Sequence, residues 1–217
     1  WDEDRDFEDR ATLVFINRDL EVPDYEVGRN ENRVVITTDS LELEYTPNGG
    51  KFDSTNLEIE FQVSGGSRIW HPGMENEGNL KGTTRTLDVV KGATELDDGI
   101  LSRDGWALVN DTNRPLFDDS DWPWAVERAD SNQQDWYFFG YGHDYKGALQ
   151  DYTNVAGKIP MPPRFAFGLW WSRYWAYTDQ GLKDLVRQYE NHNTPLDVLV
   201  IDMDWHETFE LRWDDGE

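Results

Sequence analysis

The 217 residues carry 44 Asp and Glu against 20 Lys and Arg, a formal net charge of −24, with eleven Trp and no Cys. A field of that sign repels phosphate backbones and anionic lipid, which disfavours nucleic-acid and membrane-surface partners. The missing Cys removes disulfides, thiolate metal sites and thiol nucleophiles, while length and aromatic content suffice for a sizeable core. No apolar run reaches the roughly 18 residues that span a bilayer, and the first ten residues, WDEDRDFEDR, are neither a signal peptide nor headed by Met. A soluble protein is expected, cytoplasmic or secreted, of open oligomeric state, with this chain beginning and ending inside a longer polypeptide. The bias toward Asp over Glu and Arg over Lys suits a high-salt environment and equally an ordinary acidic surface.

In chain order, period-two runs come first: Leu13 and Phe15; Val34 and Ile36; Leu41, Leu43 and Tyr45; Leu57, Ile59, Phe61 and Val63. They predict half-buried strands joined by polar turns, at Asp39-Ser40 and around Pro47-Asn48-Gly49-Gly50, and so an antiparallel sandwich. Gly65 to Thr84, rich in Gly and Asn, predicts a long loop in which Trp70, His71 and Asn79 are further candidates for a ligand cleft. Strands are expected again at Arg85–Val90, Ile100–Ser102 and Trp106–Asn110, before an acidic turn at Phe117–Asp121 and a Trp-rich segment to Arg128. The almost continuously apolar WYFFGYG (Trp136–Gly142) predicts a strand covered on both faces. His143–Ala156 carries a helical stripe of Tyr145, Ala148, Leu149, Tyr152 and Val155, with Gly157 as its stop.

Ile159–Pro163 (IPMPP) can neither continue a helix nor join a central strand and marks a domain boundary. Beyond it lies one β-α-β unit. An apolar strand is expected over Phe165–Trp171, a helix over about Thr178–Asn191 with Thr178 as N-cap and Leu182, Leu185, Val186 and Tyr189 on one face, and a second strand over Leu196–Ile201. The domains read as 1–142, an N-terminal β-sandwich; 143–163, a connecting helix and Pro-rich linker; and 164–217, the first β/α units of an incomplete barrel.

The second strand runs into Asp202-Met203-Asp204-Trp205-His206. In parallel α/β architectures ligands bind outside the carboxyl ends of strands, which makes this the candidate site. Three readings compete. Paired acids can accept sugar hydroxyls while Trp170, Trp171, Tyr174, Trp175, Tyr177 and Trp205 cover the C–H faces of a pyranose. An Asp-x-Asp after an apolar strand also marks phosphatases of the haloacid-dehalogenase type, but no Thr follows the second Asp and the field is anionic. In the third reading Asp204 caps or ion-pairs, His206 is a satisfied polar residue and the Trp side chains are core. Arg173 is expected to pair with Asp202, Asp204 or a nearby acid. A metal site is weakly supported, since the other His residues lack ligand spacing, and there is no nucleophile elbow, P-loop or dinucleotide fingerprint.

The segments NLKGTTRTLD (Asn79–Asp88), GILSRDGWALVND (Gly99–Asp111), WYFFGYGHDYKGALQDYTNVAGKIPMPPRFAFGLWWSR (Trp136–Arg173) and TPLDVLVIDMDWH (Thr194–His206), collinear over most of the chain, resemble glycoside hydrolase family 31, the α-glucosidase-like enzymes. The resemblance implies a β-sandwich N-terminal domain followed by the beginning of a (β/α)8 TIM barrel, here truncated after strand two, in a retaining enzyme that cleaves α-linked glucosides or oligosaccharides through a covalent glycosyl-enzyme intermediate without a cofactor. It implies that Asp202 holds hydroxyls of the sugar at the cleaved bond, that Met203 follows along the wall, and that Tyr177 or Tyr174 supplies the aromatic after strand one; Asp204, Trp205 and His206 complete the candidate substrate-binding set. The family's nucleophile and acid/base would lie beyond Glu217, so the chain alone would be inactive. Many members have Asp-Tyr-Met where this chain has Asp204-Trp205-His206, which leaves sugar and linkage open. α-Xylosidase, α-galactosidase and transglycosylase remain alternatives within the family, and a non-catalytic carbohydrate-binding β-sandwich is the alternative outside it.

Overall fold

A computed structural model of the chain describes residues 1–47, 50–84, 86–128 and 132–202. These form two compact units, Trp1–Ile159 and the segment from Pro160 onward.

The first unit is mostly antiparallel sheet. Five strands, β1 (Glu26–Asn30), β2 (Arg33–Thr37), β3 (Leu41–Tyr45), β4 (Leu57–Val63) and β5 (Gly66–Trp70), form a meander in which each pairs with the next. β4 shows why: Leu57, Ile59 and Phe61 are buried while Glu58 and Gln62 are exposed, the alternation that a one-sided sheet requires. Its neighbours keep register, with Leu43 opposite Ile59 and Ile59 opposite Trp70. β2 and β3 turn at Thr38–Ser40, where the Thr38 N–H donates to Leu41 O (2.8 Å). β4 and β5 turn at Ser64-Gly65, and Gly65 adopts φ of +95°, open to glycine at no steric cost.

Further along lie β6 (Ala107–Asn110), β7 (Leu116–Phe117), β8 (Ala125–Val126) and β9 (Trp136–Phe139); β6 pairs with β9 and β7 with β8, both antiparallel. The β6–β9 pair is covered on both faces. Leu108, Trp136 and Phe138 pack with Phe61, Trp70 and Trp106 against the five-stranded sheet. On the other face Ala107, Val109, Tyr137 and Phe139 pack with Phe15 and with Tyr152 and Val155 of helix α1 (Tyr145–Ala156). This two-sided burial accounts for the unbroken apolar run of β9. α1 is capped by Asp144, whose carboxylate accepts from Gly147 N (3.0 Å), and it ends at Gly157 with φ of +90°.

Several expectations need correction. β1, β7 and β8 carry too little apolar alternation to be read from sequence. The Leu13–Phe15 run is no strand: Thr12 makes one bridge to Leu116, and Phe15 is fully buried among residues distant in sequence. The expected loop from Gly65 begins as β5, and the remainder is tied down, Leu80 N donating to Leu101 O (2.9 Å), Arg103 N to Gly78 O (2.8 Å) and Asn79 Nδ2 to Gly99 O (2.9 Å). Residues 86–90 form no strand, and Val89 sits at φ of +57°, outside the extended region. Leu149, placed on the buried stripe of α1, is exposed.

The sequence missed a buried charge cluster in this unit. Arg18 Nη1 donates to Asp135 (2.8 Å) and Asp111 (3.3 Å), its Nε to Asp9 (2.7 Å), and Arg128 Nη2 to Asp135 (3.1 Å). Burial opposes the charge on Arg18, but hydrogen bonds to Asp135 and Asp9 more than offset this and hold its pKa above the ordinary value. Burial pushes Asp111 up from the usual carboxylate range. The cluster sews the N-terminal segment to the ends of β6 and β9, and its members lie too far apart in sequence to form a motif.

Among the described residues the second unit contains a 3₁₀ turn (Arg164–Phe167), strand β10 (Trp170–Trp171), helix α2 (Asp179–Asn191) and strand β11 (Val198–Leu199). The strand expected over Phe165–Trp171 is therefore mostly turn, because Ala166 N and Gly168 N bond back to Pro163 O and Phe165 O (both 3.0 Å) and close the chain before it extends. β10 and β11 pair parallel, Trp170 opposite Val198 and Trp171 opposite Leu199, with α2 as the crossover. Thr178 caps α2, its Oγ1 accepting from Gly181 N (3.0 Å), and Leu182, Leu185, Val186 and Tyr189 form the half-buried stripe.

Candidate functional site

In a parallel pair both carboxyl ends face one edge. The segment leaving β10 is Ser172-Arg173-Tyr174-Trp175-Ala176-Tyr177, and the segment leaving β11 is Val200-Ile201-Asp202. Val200 N donates to Trp171 O (2.9 Å), so the pairing persists to the point where the two segments part. Tyr174 and Asp202 each stand three residues beyond their paired strands, at the same edge.

The described members of the predicted set divide by exposure. Tyr174 and Trp175 are exposed, Tyr177 and Asp202 half-buried. Tyr177 N donates to Trp175 O (3.0 Å), and Thr178 then caps the helix, so the aromatic segment is a short turn anchored at both ends. Arg173 lies with its guanidinium 4.4 Å from the Trp175 ring centroid, a cation–π contact that orients the indole. Trp171 packs edge-on to Tyr189 of α2 (5.8 Å), and Trp170 Nε1 donates to Ala166 O (3.1 Å), which makes these two indoles part of the unit's packing. Met203, Asp204, Trp205 and His206 lie outside the described residues, as does the expected pairing of Arg173 with Asp204.

Chemically, aromatic side chains and a carboxylate acceptor on segments that leave one edge are of the types that suit a neutral polyhydroxylated ring. Among the described residues no cluster of three or more His, Asp or Glu is arranged to hold a metal ion, and no helix is long and apolar enough to cross a membrane. Of the extra candidates in the first unit, Trp70 is 1% exposed and belongs to the core. Asn79 is consumed by local bonds, its Oδ1 accepting from Lys81 N (2.8 Å) and Gly99 N (2.9 Å).

Two residues at the opposite edge went unremarked in the sequence. Asp197 Oδ2 accepts from Leu169 N (2.9 Å), and Asp197 N donates to Leu169 O (3.0 Å). A side chain on Gly168 would overlap the Asp197 carboxylate. The available signal was an Asp opening the second apolar strand and a Gly opening the first.

Residues 159–217 match the model of the glycosyl hydrolases family 31 TIM-barrel domain. The chain is similar to the alpha-xylosidase XylQ of Lactiplantibacillus pentosus, 32% identical over 94 residues, which are 41% of this chain and 12% of that one. It is 33% identical over 75 residues to alpha-glucosidase 2 of Bacillus thermoamyloliquefaciens, 35% of this chain and 9% of that one. An alpha-xylosidase of Saccharolobus solfataricus is 27% identical over 164 residues, 68% of this chain and 22% of that one, an alignment that extends well into the first unit. In fold, the chain resembles a family 31 dextranase of Flavobacterium johnsoniae solved with isomaltotriose and with glucose. The TM-scores are 0.56 and 0.57 at 16% identity, covering 94% and 95% of this chain but 29% and 30% of the dextranase. The chain thus spans less than a quarter of the length of these three curated relatives. The barrel-domain match over residues 159–217, these relatives and the dextranase fold together support glycoside hydrolase family 31 for this chain.

Proposed function

We propose that this chain is the N-terminal part of a retaining α-glycosidase acting on α-linked glucosides, and that its own contribution is to hold the sugar rather than to cut the bond. The observation that carries the reading is the edge shared by Tyr174, Tyr177 and Asp202 at the carboxyl ends of two parallel strands. Asp202 accepts hydroxyls of the sugar at the cleaved bond and the tyrosines cover its C–H faces, with Met203, Asp204, Trp205 and His206 as further candidate substrate contacts. The domain reading that goes with it is a β-sandwich over 1–142, a connecting helix and linker over 143–163, and the first β/α units of a (β/α)8 barrel from 164.

Retention requires a nucleophile and an acid/base about 5 to 5.5 Å apart across the anomeric carbon. Asp202 and Asp204 are alternate residues in the sequence, too close along the chain to be read as flanking a ring, so neither is assigned those roles. The 217 residues alone would therefore bind without turning over. α-Xylosidase is the second reading, favoured by two relatives that bear that name. The substrates differ by the hydroxymethyl group that glucose carries and xylose lacks, so the choice is made by the pocket around that carbon.

The test is hydrolysis of aryl α-glucoside and aryl α-xyloside by the complete natural protein, with the first-formed anomer read by proton NMR. The α-anomer should appear first, from the glucoside. Faster turnover of the xyloside selects the second reading. Release of the β-anomer, no turnover of either substrate, or turnover by the 217 residues alone contradicts the proposal.

A further inference from the structure

We infer that Asp197, at the end of the β-α-β unit remote from the sugar-binding edge, is a positioning residue for Asp202; this rests on the reading of Asp202 as a substrate ligand. Parallel pairs need something to fix register, because a slip of one residue turns every side chain to the opposite face. Here the regular pairing is only two residues deep, Trp170 with Val198 and Trp171 with Leu199. So short a ladder does not specify itself.

Residue 197 supplies the missing specification. Its carboxylate takes the Leu169 N–H (2.9 Å) while its backbone N–H, together with that of Val198 (3.1 Å), goes to Leu169 O. Both backbone groups of the residue preceding β10 are thereby held by the two residues at the start of β11. Gly168 completes the lock, since any side chain there would overlap the Asp197 carboxylate. Shifting the pairing by one residue would break all of these contacts together, and a neutral hydrophobic pair could not register the strands in this way. From Asp197 the chain runs through four residues, with Val200 N bonded to Trp171 O on the way, before it reaches Asp202 at the edge where the aromatic segment also leaves. The distance between carboxylate and tyrosines is thus set at the far end of the strands. Misplacement of a binding group by about 1 Å costs on the order of a hundredfold.

The experiment is a double-mutant cycle in the complete natural protein, with kcat/KM on an aryl α-glucoside as readout. Asp197→Ala should lower kcat/KM about tenfold to a hundredfold, Asp197→Asn, which keeps an acceptor for Leu169 N–H, should recover most of it, and Asp197→Ala should do little further harm in an Asp202→Ala background. Additive losses, or an Asp197→Ala variant that loses thermal stability while keeping kcat and KM, overturn the inference. A second readout does not depend on catalysis: amide hydrogen exchange in the complete natural protein should lose protection at both Leu169 and Val200 in Asp197→Ala. Loss at Leu169 alone shows that the clamp does not transmit and also overturns it. If the wild-type protein turns over no α-glycoside but the exchange result holds, the functional reading fails and the register clamp stands.

Discussion

The two units use aromatic residues in opposite ways. In the first, Trp70 is 1% exposed, because β6–β9 is covered by the five-stranded sheet on one face and by Phe15 and α1 on the other. In the second, Trp170 is 51% and Trp175 57% exposed, around a two-stranded pair with one helix packed beside it. Aromatic content as such therefore says nothing about role. The exposure in the second unit reflects how few elements the described residues place around the strand pair, so it does not by itself mark a ring as ligand surface.

The largest effects that sharpen this contrast belong to the first unit. Asp135 serves both Arg18 and Arg128, so Asp135→Ala leaves two buried guanidinium groups short of a counter-charge and should cost about 3–5 kcal/mol in chemical denaturation of the first unit. A loss below about 1 kcal/mol would mean that water or Asp111 replaces it. Asp111→Asn should cost far less, since burial already disfavours its charge.

Phe61→Ala and Phe167→Ala test the comparison directly. Phe61 is 1% exposed within the core and should cost about 3–5 kcal/mol. Phe167 is 76% exposed and should stay within about 0.5 kcal/mol in the 217-residue chain. Equal losses at the two sites would erase the distinction between the units. Thr178→Ala removes the α2 cap and should cost about 1 kcal/mol, read as lost helicity or exchange protection in the second unit alone.

The smallest effect is in acid. The Ser120 hydroxyl, with Trp124 N–H and Ser120 N–H, holds Asp118 below the usual carboxylate range. Its stabilisation is thus present above the unfolded pKa of about 4 and is lost as pH falls through the lower folded value. Asp111 has the opposite sign: its folded pKa is raised, so its penalty is relieved as pH falls through that value. Thermal melts from neutral to strongly acidic pH should show a flatter acid limb in Asp118→Asn and a steeper one in Asp111→Asn.

Where structure follows from local period, the sequence was legible. β4 alternates and α2 repeats as their burial requires, β2 and β3 follow their apolar runs, α1 follows its stripe except at Leu149, and the caps at Thr178 and Gly157 follow from local chemistry. Where structure depends on distant partners, it was not. Phe15 is buried by residues over a hundred positions away, Arg18 and Asp135 meet across 117 positions, and β1 survives on ladder bonds with every residue exposed. The site shows the same division. Asp202 and the tyrosines could be named from their place after apolar strands, whereas Gly168 and Asp197 acquire meaning only once two strands lie side by side.

The central claim is that Asp202 grips the reacting sugar. It is tested most directly by Asp202→Ala in the complete natural protein, with kcat/KM on an aryl α-glucoside measured beside the melting temperature. Loss of one or two charge-assisted hydrogen bonds should lower kcat/KM roughly a hundredfold or more at an unchanged melting temperature. An unchanged kcat/KM would contradict the account and return Asp202 to a structural role.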